Sequence, residues 1–503
     1  MLTFKKDSPE SVGIPSTCII NCFNRLNKNQ IPMHSFLLLR YGKLITEGYY
    51  APCNASTLHR MFSVSKSFTA VAIGLLADEG KLCLNDPIIK YFPEKLPSDL
   101  HPWIAEMTIR DMLMMRTCHA STTYKLNNTT DWVKSFFTTP PTHPAGRLFH
   151  YDTSSAHTLC ALVEKLTGME MLTYIKKKLP ALNLSEASYM LKDPMGISIG
   201  GSGLVATSMD LLKFGYFLQQ KGCIDNEHLL SSAYIEEATA KLTETCVTAP
   251  LPSEAAGYGY QIWQNEKGGF VCYGMGGQLI IVLPDYDLIC VTTADTQGIS
   301  GGNQMIYQAI YEEILPYIED HALFLDAKTD SAYRDFLSGL SLLPVNGNKS
   351  SALVSSINKK LYKICTALAG SDLSSASLSK DGFESFSLSF DDPKAAPISG
   401  FDRTASGGTL TFQYNQKTYS IAFGLQSLKT GFFPIYDMYY AASGAWLDDN
   451  TFYIKACIID SSVGSVHIQL SFGEHDLTVF MKKHEETLFN EFCGHFYCQC
   501  TSS

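Results

Sequence analysis

Apolar and polar positions along this 503-residue chain fall into two regimes that meet near residue 325. Before that point, runs at 34–40 and 44–50 are apolar and strand-like, and Tyr41-Gly42-Lys43 between them predicts a hairpin. Residues 65–79 then carry Phe68, Val71, Ala72, Leu75 and Leu76 at helical spacing, and Gly80 marks a stop. From about 84 to 232 the pattern is mainly helical, interrupted by polar loops such as 118–130. β-type runs return at 257–263, 269–283 and 287–294, and 302–323 is again helical. Strands at both ends with helices between them predict an α+β domain. Its antiparallel sheet is flanked by helices, closed by distant segments, and holds a mainly helical insert.

Beyond 325, Ser-rich and Gly-rich segments dominate to about 408, with one helical pattern at 353–368. Alternating runs follow at 409–414, 419–423, 452–459, 466–472 and 477–481, the signature of an antiparallel β-rich domain. The chain therefore reads as a first domain at 1–325, a partly helical connector at 326–408 and a β-rich domain at 409–503. The serine stretch at 371–379 reads as loop or linker.

Composition removes several function classes. Apolar residues make up 45% and charged residues 17%, an ordinary globular balance. A net charge of −10 argues against a nucleic-acid surface, which needs clustered cations. No basic block exists to meet an anionic membrane surface. The apolar stretches at 70–77 and 279–283 fall far short of the roughly 20 residues a spanning helix needs. The N-terminus lacks the apolar core and small-residue cleavage site of a signal peptide, so a cytoplasmic chain is expected. Fifteen cysteines are scattered, many in apolar runs (Cys160, Cys290, Cys457), where reduced thiols act as small hydrophobes. The tail gathers Cys493, His495, Cys498 and Cys500, but the spacing fits no standard zinc pattern, and free thiols are the ordinary reading.

The chemistry narrows to one motif. GxSxG, HExxH, P-loop and Rossmann glycine signatures are all missing. S-x-x-K occurs three times, at Ser63–Lys66, Ser356–Lys359 and Ser377–Lys380, and context chooses the first. Ser63 stands where the strand-like run ends and the long apolar helix begins, a place whose unpaired N–H groups favour developing negative charge. Lys66, three residues on, shares its helix face. The neighbours Met61, Phe62, Val64 and Phe68 are apolar, which disfavours a charged amine and suits a proton acceptor. Lys359 and Lys380 lie in polar surroundings and read as solvated cations. The bland reading of Ser63 is a helix cap beside a snorkelling lysine.

Around that motif the chain resembles the class C β-lactamase-like serine hydrolases of the penicillin-recognising superfamily. The stretch from Arg60 to Ala70 is similar to their nucleophile motif. Ala77-Asp78-Glu79-Gly80-Lys81-Leu82 and Leu84-Asn85-Asp86-Pro87 are similar to the run after the active-site helix. Further matches are Met107 to Leu113, Pro144 to Tyr151, Gly200 to Thr207, and Lys213-Phe214-Gly215, all in family order across about residues 8–320. Asp131-Trp132 and Gly274-Met275-Gly276-Gly277-Gln278 look closest to the aminohexanoate-oligomer hydrolase and carboxylesterase branch.

The resemblance implies a site. Tyr151 becomes the second acid or base, and the Met275 N–H joins that of Ser63 as an oxyanion donor. Trp132, Thr153, Gly276, Gly277 and Gln278 become substrate-contacting residues. Two departures stand out: Thr153 replaces the usual Asn of Tyr-x-Asn, and Cys272 stands where the family carries a basic residue before Thr-Gly. The missing cation weakens the case for β-lactam hydrolysis.

The resulting expectation is a cofactor-free, metal-free serine hydrolase acting on a small ester, amide or short peptide. The alternative is a catalytically silent relative that binds a peptide or cell-wall fragment. A DD-peptidase or resistance lactamase would need export to reach its substrate. Intact Ser63, Lys66 and Tyr151 favour the enzyme.

Overall fold

The computed structural model describes residues 1–126, 129–249, 251–365, 382–391 and 406–500. It divides into two compact units, Met1–Leu340 and Ser341–Ser503. Among the described residues, no helix is long and apolar enough to cross a membrane.

The first unit is built on a seven-stranded sheet. The hairpin forms as Met33–Arg40 and Lys43–Tyr49, turning through Tyr41 at φ 50° and Gly42 at φ 68°. Both positive values belong to the tight turn that matches strand twist. Leu288–Ala294 pairs antiparallel with Met33–Arg40, and Gln278–Leu283 and Phe270–Gly274 continue the sheet outward. Distant segments therefore close the sheet, as the alternation of apolar runs predicts. The run at 257–263 departs from expectation: only Trp263–Gln264 is a strand. Gly257 at φ 132° and Gln261 at φ 56° break the extended path, and the Gln261 side chain caps the carbonyls of Met112 and Leu113.

Under the sheet runs the helix Val64–Asp78, buried along nearly its whole length. It is apolar on every side, the pattern of a helix enclosed by protein. Phe68 stacks on Phe214 of the helix Ser208–Gln219 with ring centroids 3.8 Å apart. The helix Thr153–Thr167 packs on another flank, with Asp152 capping its start.

The stretch at 326–408 divides between the units instead of standing apart. Ala327–Ser338 is a helix of the first unit, where the Tyr333 hydroxyl lies 2.8 Å from Thr46 Oγ1. Tyr362–Ile364 and Phe383–Phe390 are strands of the second. The helical pattern at 353–368 is reduced to Val354–Ile357, because Lys359 at φ 62° turns the chain into a strand. Residues 366–368 and the serine stretch at 371–379 lie outside the described residues.

The second unit is a β-barrel of ten strands joined mainly in antiparallel order. All five expected runs are strands, and Lys429–Phe433, Met438–Trp446 and Gly494–Cys500 join them. Closure comes where Lys417–Leu425 meets Met438–Trp446 in parallel, Gly424 against Ser443 and Leu425 against Gly444. Closing the ring removes exposed strand edges. Phe412, Phe423, Trp446 and Phe452 fill the interior, with Phe423 and Phe452 5.2 Å apart. Strand alternation separates the tail donors: His495 is exposed against Phe480, while Cys498 is buried in the core. The tail forms no metal-ligand cluster.

A glycine in the buried helix gives a test of packing. A Cβ on Gly74 would lie 2.4 Å from Tyr234 Cε1, and that ring is pinned by a hydroxyl bond of 2.6 Å to the Ala70 carbonyl. Alanine gains about 1 kcal/mol in helix propensity, whereas overpacking costs about 1–3 kcal/mol. Gly74→Ala is therefore expected to lower stability, by up to about 2 kcal/mol, in urea denaturation. A gain in stability would show that Tyr234 yields freely.

Candidate functional site

The site begins with a turn. Phe62, a bulky buried residue, holds φ at 44°, a conformation that costs of order 1–3 kcal/mol. Its ring lies under the Arg60 guanidinium, 5.0 Å from centroid to Cζ. The Met61 N–H donates to the Leu204 carbonyl at 2.7 Å, so the approach is tied down before the turn. Ser63 follows, half-buried, immediately before the helix Val64–Asp78.

Lys66 is only 1% exposed. Its Nζ donates to Ser63 Oγ at 2.9 Å and to the Gly201 carbonyl at 2.7 Å. The same nitrogen stands 4.8 Å from the centroid of the Tyr151 ring. The Tyr151 hydroxyl is hydrogen-bonded to Ser63, and burial pushes the phenol well above its ordinary range. Tyr151, far along the sequence, is thus brought to the neighbouring Ser63 and Lys66. The other copies of the motif are not comparable: Ser356 and Lys359 are exposed, and Ser377 and Lys380 lie outside the described residues.

The third segment approaches from the sheet. Phe270–Gly274 ends beside the nucleophile turn, where a Cβ on Gly274 would sit 2.3 Å from the Met61 carbonyl. Met275, half-buried, begins the turn, and Gly276 at φ 81° and Gly277 at φ 90° complete it. The positive φ of the turn favours glycine at both positions, and a Cβ on Gly277 would in addition press Ala294 and Ile306. Gln278 is fully buried. Its amide donates to the carbonyls of Met275 and Ala294 and accepts from the Ala294 N–H. Both amide hydrogens and one acceptor site of that side chain hold the turn.

The remaining expected residues line the surroundings. Trp132 stacks on Tyr124 at 4.0 Å and meets His157 edge-on at 5.2 Å. Asp131 before it is spent on the Lys134 N–H and on Lys95. Thr153 opens its helix with its N–H on Thr122 Oγ1 at 3.2 Å. Its Cγ2 occupies the space beside Gly201, whose carbonyl holds Lys66. Cys272 is a buried thiol pushed up to about 12 by desolvation and bonded to Ser67, so no cation replaces the family's basic residue there.

Sequence reasoning missed an aromatic wall and two carboxyls. Trp263 stacks on Tyr151 at 5.5 Å, and Tyr258 meets both rings edge-on. Asp152 is fully buried, and desolvation pushes it up to about 6 despite bonds from Ser154 and the nearby Lys66 charge. Glu254 is fully buried with neither carboxyl oxygen hydrogen-bonded, and burial pushes it up to about 8. Its charge would act on Tyr151, Tyr273 and Tyr307, all displaced upward. Asp152 adjoins Tyr151 in the motif and was open to notice; nothing local marks Glu254. A cavity of about 550 Å³ adjoins this region through Phe149 and His150, with Arg116, Arg147 and Val247 on its walls.

A sheet backed by a buried helix, with a serine and a buried lysine sharing that helix's first turn, defines an S-x-x-K hydrolase scaffold. The chain belongs to the beta-lactamase family, whose model matches residues 19–310. A 6-aminohexanoate-dimer hydrolase of Paenarthrobacter ureafaciens is 24% identical over 284 residues, 51% of this chain and 71% of the relative. Protein flp of Staphylococcus aureus (strain MRSA252) is 26% identical over 199 residues, 35% of this chain and 40% of flp. Among solved structures, a Bacillus anthracis protein provisionally described as a 6-aminohexanoate-dimer hydrolase shares the fold. It superposes with a TM-score of 0.51 at 21% identity, over 62% of this chain and 86% of its own. This chain is accordingly a β-lactamase-related hydrolase.

Glu254 carries a pH signature. Its folded value near 8 lies above the ordinary 4.5, so between those limits the folded chain keeps a proton the unfolded chain has lost. Stability then falls as pH rises through that window, by up to about 1.4 kcal/mol per pH unit. Glu254→Gln is expected to match wild type near about pH 5 and to exceed it near about pH 9, read from urea midpoints. Parallel pH profiles for the two proteins would mean that the carboxyl is not desolvated.

Proposed function

We propose that this chain is a serine hydrolase that cleaves a small ester or amide through an acyl-enzyme on Ser63. The observation that carries the reading is the 2.9 Å bond between Lys66 Nζ and Ser63 Oγ inside a buried helix turn. In the reaction, Ser63 Oγ attacks the carbonyl carbon and its proton passes to Lys66 Nζ. The carbonyl oxygen becomes an oxyanion, for which the N–H groups of Ser63 and Met275 are the proposed donors. Tyr151 hands its hydroxyl proton to the leaving oxygen or nitrogen and regains one from Lys66. A phenol pushed upward by burial stays protonated, which suits a donor. Water then attacks the acyl carbon, its proton returning through the same groups, and Ser63 is released.

The substrate class follows from the walls. Trp263, Tyr258 and Tyr151 favour apolar carbon chains or rings on the scissile group. The neutral Cys272 offers no counter-charge to a β-lactam carboxylate, which supports linear esters and amides instead. The relationship to a 6-aminohexanoate-dimer hydrolase points the same way.

A fluorophosphonate probe and short nitrophenyl esters test the mechanism together. Wild type is expected to take one probe per chain, and Ser63→Ala none. Lys66→Ala and Tyr151→Phe should each lower turnover by about 10²–10⁴-fold while the fold is retained by circular dichroism. Equal labelling of wild type and Ser63→Ala would overturn the assignment, leaving a binding protein on a hydrolase scaffold.

A further inference from the structure

A second cluster of chemically competent side chains lies behind the strand that leads to Ser63. His34 on Met33–Arg40, Cys53 in the loop after the hairpin and His59 on His59–Arg60 are all buried. One donor atom from each lies within 4.8 Å of the others. Among the described residues it is the one group of three or more His, Cys, Asp or Glu side chains that converges in this way. We propose that His34, Cys53 and His59 form a binding site for a single d¹⁰ metal ion, Zn²⁺ or Cu⁺.

The distances fit. His34 Nδ1 and His59 Nε2 stand 3.0 Å apart. Two imidazoles on a tetrahedral zinc, each bond about 2.0–2.1 Å, place their nitrogens about 3.3 Å apart, so a small ring rotation admits the ion. A hydrogen bond alone would account for the two imidazoles; a buried thiol within 4.8 Å of both adds the third donor. Two nitrogens and a sulfur are the donor set preferred by Zn²⁺ and Cu⁺, whereas Mg²⁺ and Ca²⁺ need oxygens. Zinc would take solvent as its fourth ligand; Cu⁺ is content with three.

The site has a structural consequence. His59 pairs with Ala206 and lies four residues before Ser63, with the left-handed Phe62 between them. An ion on His34 and His59 would fix the hairpin strand to the segment that delivers the nucleophile, independently of whether Ser63 reacts. The sequence hides the set because its members sit on three elements with no motif spacing.

The full-length protein, purified without chelator from zinc-supplemented medium, tests the proposal by elemental analysis and chelator-dye competition. One zinc per chain is expected, with a rise in melting temperature over the stripped protein. Cobalt loaded into the stripped protein should give a thiolate-to-metal charge-transfer band that Cys53→Ser abolishes. Cys53→Ser should also weaken zinc binding by more than the about 10–100-fold typical of losing an outer-shell contact. If that variant fails to fold, the wild-type stoichiometry and cobalt band decide alone. One Cu⁺ per chain in place of zinc upholds the site and identifies its metal. No stoichiometric uptake of either ion, or cobalt binding without a thiolate band, would overturn it.

Discussion

Everything in the first unit is organised around one amine kept out of water. An ammonium-bearing side chain taken out of water costs several kcal/mol unless strong partners replace hydration. Lys66 finds them in the Gly201 carbonyl at 2.7 Å, Ser63 Oγ at 2.9 Å and the face of Tyr151. Each partner comes from a different part of the chain, so the helix, the insert and the loop around Gly201 must fold together before the lysine is satisfied. A buried lysine of this kind would be a liability in a purely structural helix, where leucine would pack as well. The proposed reaction gives the amine a use there.

The glycines show what that arrangement demands of the backbone. Gly201, whose carbonyl holds Lys66, has no room for a side chain, because Thr153 Cγ2 lies 2.4 Å from where a Cβ would stand. Gly274 permits the sheet edge to touch the Met61 carbonyl, two residues before the nucleophile. The strained Phe62 sits between these contacts, held by Arg60 on one side and by the Met61–Leu204 hydrogen bond on the other. Strain at such a turn persists because its surroundings over-determine it.

Much of this was legible in the sequence, for physical reasons that also explain the gaps. Hydrophobic periodicity placed the hairpin and the helix to within a residue or two, because their apolar faces must match a period to be buried. Ser63 and Lys66 stood out because three residues span one helical face. The strand Met438–Trp446 escaped notice: its inner run of Ala, Ser and Gly is buried on both faces and shows no alternation. The barrel accepts it because small residues let neighbouring strands and aromatic rings close in. Gln278 was expected to contact substrate through the family resemblance; its burial and three backbone bonds are tertiary facts. Glu254 was illegible for the same reason, since an acidic residue near polar loops ordinarily faces water.

Those buried carboxyls complete the electrostatics of the proposed reaction. Acyl transfer builds negative charge on the substrate oxygen, and nearby carboxylates would raise the barrier through like-charge repulsion in a poorly screened site. Glu254, pushed up to about 8, stays protonated at neutral pH, and Asp152, pushed up to about 6, sits near its midpoint in mild acid. At neutral pH burial therefore removes the Glu254 charge, while Asp152, with its midpoint near 6, keeps most of its own. In the proposed reaction Lys66 takes the serine proton as the oxyanion forms, which adds a positive charge at that moment. The same desolvation that makes a buried ammonium costly is what raises the neighbouring carboxyls.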